Sequence, residues 1–253
     1  MTSIRYLAIA LMALAVAGCH SSPANSGDSG VDMAVSDASG GSDGGADLAP
    51  GFGPESVLQH HKHPSRDGLY IEPAITTAAA AKMHIDSTFN APLTGPVYAQ
   101  PLYVDGGPNG RDLVIVATED NEIDAFDAAS GQVVWQKTKA DLGTPAPLNT
   151  FTCGDIDPYG VTGTPVIDPA SRTIFFDATT LDSGKHKHLV YGLSVDDGSL
   201  RAGWPVDLAQ VVSGFNPDYQ AERTAGIILG GTLYFGYGGY AGDCGNYYGY
   251  VIG

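Results

Sequence analysis

Short runs of β-branched and aromatic residues, separated by Gly, Pro, Asp and Asn, recur along the second half of the chain. Such runs are typical of β-strands, and the residues between them favour tight turns. In one stretch the apolar run 113–118 is followed by a turn at 119–121 and a second run at 123–127. Asp127 then opens a turn that ends at Gly131, a residue type that adopts positive φ without strain. This alternation predicts antiparallel hairpins.

The hairpin pattern occurs three times, at a spacing of roughly 60 to 67 residues. A repeat of four short strands with a period of about this length is typical of a β-propeller blade. In the second repeat, Asp196–Asp197–Gly198 forms the turn that corresponds to the turn ending at Gly131 in the first repeat. The matching segments are Gln100–Val104, Leu113–Thr118, Ile123–Asp127 and Trp135; then Thr164–Asp168, Ile174–Thr179, Val190–Ser194 and Trp204; then Thr224–Ile228, Leu233–Gly236 and Tyr250–Gly253.

The two tryptophans, Trp135 and Trp204, occupy equivalent places in the first two repeats. The pattern assigns both to a fourth, outer strand. Their shared position indicates a wedge between neighbouring blades, and the alternative is a ring that stacks on a cofactor. Together with Asp127, Gly131 and Gly198 they form the set of structural blade residues.

The stretch Phe126-Asp127-x-x-x-Gly131-x-x-x-Trp135 resembles the repeat of quinoprotein-type, PQQ-like β-propellers. Two further stretches, 96–103 and 160–169, are similar to sequences of the same family. The resemblance covers about residues 57 to 253 and implies an all-β propeller of four-stranded antiparallel blades. Two repeats are full and the third lacks its outer strand, so we expect a partial ring of about three blades. Because a propeller closes with roughly four to eight blades, we expect a fragment, or a ring that a second chain completes.

The resemblance implies two kinds of function. Some members are dehydrogenases that hold PQQ with a calcium ion, next to two adjacent cysteines and a carboxylate base. Others are non-catalytic scaffolds of the cell envelope that bind proteins through blade faces or edges. This sequence has no adjacent cysteine pair, which favours a non-catalytic binding or scaffold module without PQQ or calcium. The alternative is a fragment of a PQQ-dependent dehydrogenase, and a third interpretation, a propeller acting on surface polysaccharide, requires clustered carboxylates in the channel.

The N-terminus carries a targeting pattern. Arg5 precedes an apolar run that is too short to span a bilayer, and Val16-Ala17-Gly18-Cys19 resembles the bacterial lipobox. Residues 1–19 are therefore predicted to be a lipoprotein signal peptide, with Cys19 lipidated and the protein held at the outer membrane. The alternative is an ordinary secretory signal with a chance cysteine.

Residues 20–56 are rich in Ser, Gly and Asp, which predicts a disordered linker. Its spaced Asp–Gly pattern leaves calcium binding as the other interpretation. Overall the chain has 12 Lys and Arg against 28 Asp and Glu, a net charge of −16. This balance argues against nucleic acid as a partner, because a phosphate backbone is bound by Lys and Arg. The expected partners are an envelope protein or another ligand of the propeller face and, through the lipid, the membrane.

Few residues suggest chemistry. In an exported protein Cys153 and Cys244 predict a disulfide, with two free thiols or partners elsewhere as alternatives. The cluster His60, His61 and His63 could bind a metal, but Lys62 opposes a cation and an exposed loop is favoured. Asp155 and Asp157 are interpreted as a turn before Pro158 rather than calcium ligands, and His186 and His188 stand apart from the cluster. No nucleophile motif brings Ser, His and Asp together.

Overall fold

The computed structural model describes residues 51–253 and shows an all-β architecture. In this range there are twelve strands in three four-stranded antiparallel sheets and three helices of four residues each. The all-β prediction is thus confirmed. The predictions for the signal peptide, Cys19 and residues 20–50 of the linker lie outside the described residues. The helices are α1 (Thr77–Ala80), α2 (Lys139–Leu142) and α3 (Leu208–Val211).

The first two sheets have the same simple meander order. The first contains β1 (Leu102–Val104), β2 (Leu113–Ala117), β3 (Ile123–Asp127) and β4 (Val133–Lys137). The second contains β5 (Val166–Asp168), β6 (Thr173–Asp182), β7 (Lys185–Ser194) and β8 (Val206–Asp207). In each sheet the third strand pairs with a neighbour on both sides.

The β6–β7 hairpin is longer than the apolar runs predict. Ten residues of each strand pair, from Thr173 with Ser194 to Asp182 with Lys185. Ser183 and Gly184 connect them with φ of 51° and 76°, and two consecutive positive φ values match the twist of a tight hairpin. The pairing therefore carries charged residues beyond the apolar part of the strands.

The third sheet is built around its longest strand. It contains β9 (Gln220–Glu222), β10 (Ile227–Leu229), β11 (Thr232–Gly239) and β12 (Tyr250–Ile252). Strands β9, β10 and β12 all pair with β11 and none of them pairs with another. Within residues 51–253, β12 has β11 as its only partner, unlike the third strands of the other two sheets.

Residues 51–66, here called the bridging segment, make hydrogen bonds to or next to a strand of each of the three sheets. Val57 exchanges backbone hydrogen bonds with Tyr103 of β1, and Leu58 accepts one from the N–H of Ile167 in β5. Arg66 Nη2 donates to the carbonyl of Gly226, directly before β10, at 3.0 Å. One segment thus contacts β1 of the first sheet, β5 of the second and the residue before β10 of the third. The last six residues of the predicted linker, 51–56, belong to this segment.

Apolar side chains fill the spaces between sheets. The larger core lies between the first and second sheets and includes Ile123, Phe176 and Leu193, each at most 1% exposed. A smaller core joins the second sheet to the third through Val190 and Phe235. These cores explain the alternation seen in the sequence, because successive residues of a strand point to opposite faces.

Residues 67–98, here called the exposed segment, contribute little to either core. The segment contains α1, and its residues are almost all exposed. Nine of the fifteen large apolar side chains that are exposed in the described part lie here, among them Ile71 at 73% and Ile85 at 92%. No helix of the described residues is long and apolar enough to cross a membrane.

Candidate functional site

A large apolar cleft opens between the second and third sheets. Its volume is about 890 Å³, which lies in the range of pockets that bind ligands or inserted side chains. Apolar and aromatic side chains from both sheets line it. The main lining residues are Phe175, Trp204, Val206, Leu208, Leu233, Tyr234, Phe235 and Ile252.

The two tryptophans differ in how they meet the next sheet. Trp135 is 7% exposed, and its Nε1 donates to the carbonyl of Val195 in the second sheet at 2.7 Å. Its ring lies so close to Gly198 that a Cβ there would approach it within 2.7 Å. Glycine is thus required at position 198 for two reasons: its φ is 69°, and a side chain would collide with the Trp135 ring. Trp135 thereby joins the first sheet to the second.

Trp204 is half-buried and borders the cleft. Its ring packs on its own sheet, 5.1 Å from Phe175 and so close to Gly192 that a Cβ there would approach it within 2.9 Å. No described residue accepts a hydrogen bond from its indole nitrogen. Trp204 also precedes β8 instead of lying in the fourth strand, because Pro205 follows it and proline has no N–H for a strand ladder. The cleft therefore occupies the side of Trp204 toward the third sheet.

The outer edge of β12 borders the same region. Tyr250–Ile252 pairs only with β11 in the described part of the chain, and Val251 is 66% exposed. An unpaired strand edge presents N–H and C=O groups that can pair with another extended segment. An apolar cleft and a free strand edge together form a surface suited to an added strand with apolar side chains.

A buried polar network lies between the second and third sheets. His188 is fully buried, and its Nδ1 lies 2.6 Å from Asp177 while its Nε2 lies 2.7 Å from the carbonyl of Gln220. Tyr237 donates to the other Asp177 oxygen at 3.0 Å. Burial is the largest single influence on the pKa of His188 and lowers it, but the Asp177 charge and the hydrogen bonds to Asp177 and Gln220 together raise the pKa above its usual value. Burial and Asp177 together raise the pKa of Glu222 well above its usual value.

This network joins the second and third sheets, and its histidine and carboxylates are buried. Its members come from β6, β7, β9 and β11, so it forms only when the second and third sheets pack together. Removing one partner of a buried ion pair is strongly destabilising, because it leaves the other charge buried without a counter-charge. We therefore assign Asp177 and His188 a structural role at this interface.

Three buried carboxylates, Glu119, Glu122 and Asp124, lie in the β2–β3 hairpin of the first sheet. Glu119 accepts hydrogen bonds from Gly160 N–H at 2.6 Å and from the Thr162 hydroxyl at 3.1 Å. Its Oε1 has no hydrogen-bond partner among the described residues. Burial raises the pKa of Glu119 to about 7 and that of Asp124 to about 6. Composition gave no signal for these groups, because acidic residues are common throughout the chain.

The residues proposed from the sequence are spread over the molecule. Cys153 and Cys244 form a disulfide with Cα atoms 5.9 Å apart, which ties the loop before β5 to the loop before β12. His60 and His61 stack on each other in the bridging segment, and His63 lies 3.1 Å from Asp67. No group of three His, Cys, Asp or Glu side chains in residues 51–253 is placed to hold a metal ion.

The remaining predicted residues lie in turns. Asp127 accepts hydrogen bonds from Ala129 N–H and Ser130 N–H, and Gly131 has φ of 72°. Asp157 accepts from Leu148 N–H, and Asp155 accepts from the Tyr159 hydroxyl. These carboxylates are thus occupied by local hydrogen bonds.

Comparison with known proteins identifies no family. A scan against protein-family models found no match, and a search of the curated proteins also found none.

Proposed function

We propose that residues 57–253 form a PQQ-like β-propeller repeat module that binds a partner protein at the bacterial cell envelope. In this proposal Cys19 carries the lipid that anchors the module to the outer membrane. The observation that carries the binding role is the apolar cleft between the second and third sheets. An extended segment of the partner pairs with β12 and inserts apolar side chains into the cleft.

The physical support is the unsatisfied surface at this place. Val251 is exposed on a strand that has one neighbour, and the Trp204 indole nitrogen lacks an acceptor in the described residues. Strand addition supplies backbone hydrogen bonds, and alternate side chains of the added strand enter pockets. The exposed apolar side chains of residues 67–98 offer a second contact surface, since large apolar patches mark interaction sites.

A photo-crosslinking amino acid at Val251 tests the proposal in native envelopes. We expect one predominant adduct with a defined envelope protein, identified by mass spectrometry. The matched control carries the same amino acid at Val133, which is 49% exposed on β4 at the edge of the first sheet. Equal adducts from both positions, or none from Val251, would contradict the proposal. The intact mass of the purified protein is measured alongside, to establish the chain that carries the site.

Reconstitution with PQQ and Ca²⁺ separates this proposal from its alternative. A scaffold module gives no stoichiometric PQQ binding and no dye reduction with alcohols or sugars. Turnover that depends on both additives would replace the binding proposal with that of a quinoprotein dehydrogenase.

A further inference from the structure

Three polar side chains from separate parts of the chain form a hydrogen-bonded row at the surface. Thr150 Oγ1 lies 2.8 Å from His186 Nε2, and His186 Nδ1 lies 2.7 Å from Asp218 Oδ1. Thr150 and His186 are 36 residues apart, and His186 and Asp218 are 32 apart. A hydroxyl, a histidine and a carboxylate in this order are the arrangement of nucleophile, general base and orienting group.

The imidazole of His186 is held in place while the hydroxyl is accessible. The His186 side chain is 6% exposed, and its ring stacks on Phe151 at 3.8 Å with 9° between the planes. Thr150 ends a 3-10 turn and is exposed. The disulfide at Cys153, three residues further on, fixes this loop to the loop that contains Cys244. The base is thus packed and the hydroxyl faces solvent, as an acyl-transfer site requires.

The three side chains can share their protons in two arrangements. Thr150 Oγ1 also lies 2.6 Å from the carbonyl of Pro147. When the hydroxyl donates to Pro147, both ring nitrogens of His186 must donate, so the ring is an imidazolium. When the ring is neutral and Nδ1–H donates to Asp218, Nε2 accepts the Thr150 hydroxyl. This second state is the one in which the ring can remove the hydroxyl proton.

We propose that Thr150 is the nucleophile of an acyl-transfer site for carboxylic esters presented from solvent, with His186 as general base and Asp218 as its positioning residue. The Thr150 oxygen attacks the ester carbonyl carbon, its proton passes to His186 Nε2, and the alcohol leaves with that proton. Water then attacks the acyl-threonine through the same base, which releases the carboxylic acid and returns the proton to Thr150.

The site is separate from the cleft and acts independently of partner binding. Its residues lie in the loops before β5 and β9 and at the end of the β6–β7 hairpin. A failure of the binding proposal therefore leaves the acyl-transfer proposal standing, and the reverse also holds.

Acylation of the full chain by p-nitrophenyl acetate tests the site. We expect release of p-nitrophenolate with acetyl-Thr150 as the trapped adduct, located by peptide mass spectrometry. Thr150→Val removes the hydroxyl at an exposed position and abolishes both signals, whereas Thr150→Ser retains them. His186→Gln lowers kcat by about 10²-fold, the size of general-base assistance, and Asp218→Asn lowers kcat on the order of tenfold with KM unchanged.

The matched control is Thr88→Val. Thr88 is exposed and its hydroxyl donates to Asp86 at 2.6 Å, but no histidine contacts it. This variant keeps the full rate, and circular dichroism shows that each variant stays folded. An adduct on another residue of the wild-type protein, or a rate that Thr150→Val leaves unchanged, would overturn the proposal.

Discussion

Glu119 provides a quantitative test of how burial controls the stability of this fold. The carboxyl is fully buried and its Oε1 has no partner in the described residues, while Oε2 accepts from Gly160 and Thr162. Burial disfavours the charged form and raises the pKa from 4.5 to about 7. The folded protein therefore binds this proton more tightly than the unfolded chain. Its contribution is complete below about pH 4.5 and is lost as the pH rises toward 7.

The magnitude follows from the two pKa values. A difference of one pH unit corresponds to about 1.4 kcal/mol, so complete ionisation of Glu119 lowers the free energy of unfolding by about 3 kcal/mol. Most of this loss, about 2.5 kcal/mol, falls between pH 5 and pH 8. Glu119→Gln has nearly the same shape as the protonated carboxyl and does not ionise in this range. We expect the variant to exceed the wild type by about 1 kcal/mol at pH 5 and by about 3 kcal/mol at pH 8, so that the difference between them grows with pH.

Urea unfolding at the two pH values, followed by the fluorescence of buried Trp135, measures the effect. Other titrating groups, including Asp124 and Glu222, are present in both proteins and cancel in the difference between them. Glu72→Gln serves as the matched control because Glu72 is exposed, and we expect a change within about 0.5 kcal/mol at both pH values. If the difference between Glu119→Gln and wild type is the same at pH 5 and pH 8, the assignment of a raised pKa to Glu119 is refuted.

Three further predictions concern contacts between sheets and loops. Trp135→Phe removes the indole hydrogen bond to the second sheet and lowers the free energy of unfolding by about 1–2 kcal/mol, measured by urea denaturation. Asp177→Asn leaves His188 without its buried counter-charge and costs about 3–5 kcal/mol, seen as a lower thermal midpoint, whereas an unchanged midpoint would contradict the buried pair. Replacing Cys153 and Cys244 together by Ser lowers the free energy of unfolding by about 4–5 kcal/mol, because the disulfide closes a long loop and reduces the entropy of the unfolded chain. Equal urea midpoints for the oxidised and reduced wild-type protein would contradict this prediction.

The strand pattern was largely predictable because it depends on neighbouring residues. The apolar runs and turn residues place β2 and β3 within one residue of their observed limits. They fall short at the β6–β7 hairpin, where the predicted runs end at Thr179 and resume at Val190, whereas β6 extends to Asp182 and β7 begins at Lys185. They also misplace Trp204, which stands before β8 because Pro205 follows it. Local propensity decides where a strand begins, but cross-strand pairing decides how far it extends.

The candidate sites were far less predictable from the chain. The histidine cluster at 60–63 drew attention by its spacing, whereas His186 and His188 stood apart from it. The structure gives these two neighbours, two residues apart in one strand, different surroundings. His188 points into the interface between sheets and pairs with Asp177, while His186 reaches Thr150 and Asp218 in surface loops. The spacing of residues in the sequence does not predict contacts between side chains more than thirty positions apart.

The sequence alone determined the all-β class, the repeated hairpins and the cysteines that pair, because each follows from local alternation, turn chemistry or a count of residue types. The tertiary structure decided which polar atoms lose their water and which meet a partner. Glu119 is buried where Gly160 packs against it, and Arg66 donates a hydrogen bond to Gly226, 160 residues away in the chain. Desolvation and hydrogen-bond geometry arise only when sheets pack, so the acid–base properties of this protein belong to its three-dimensional arrangement.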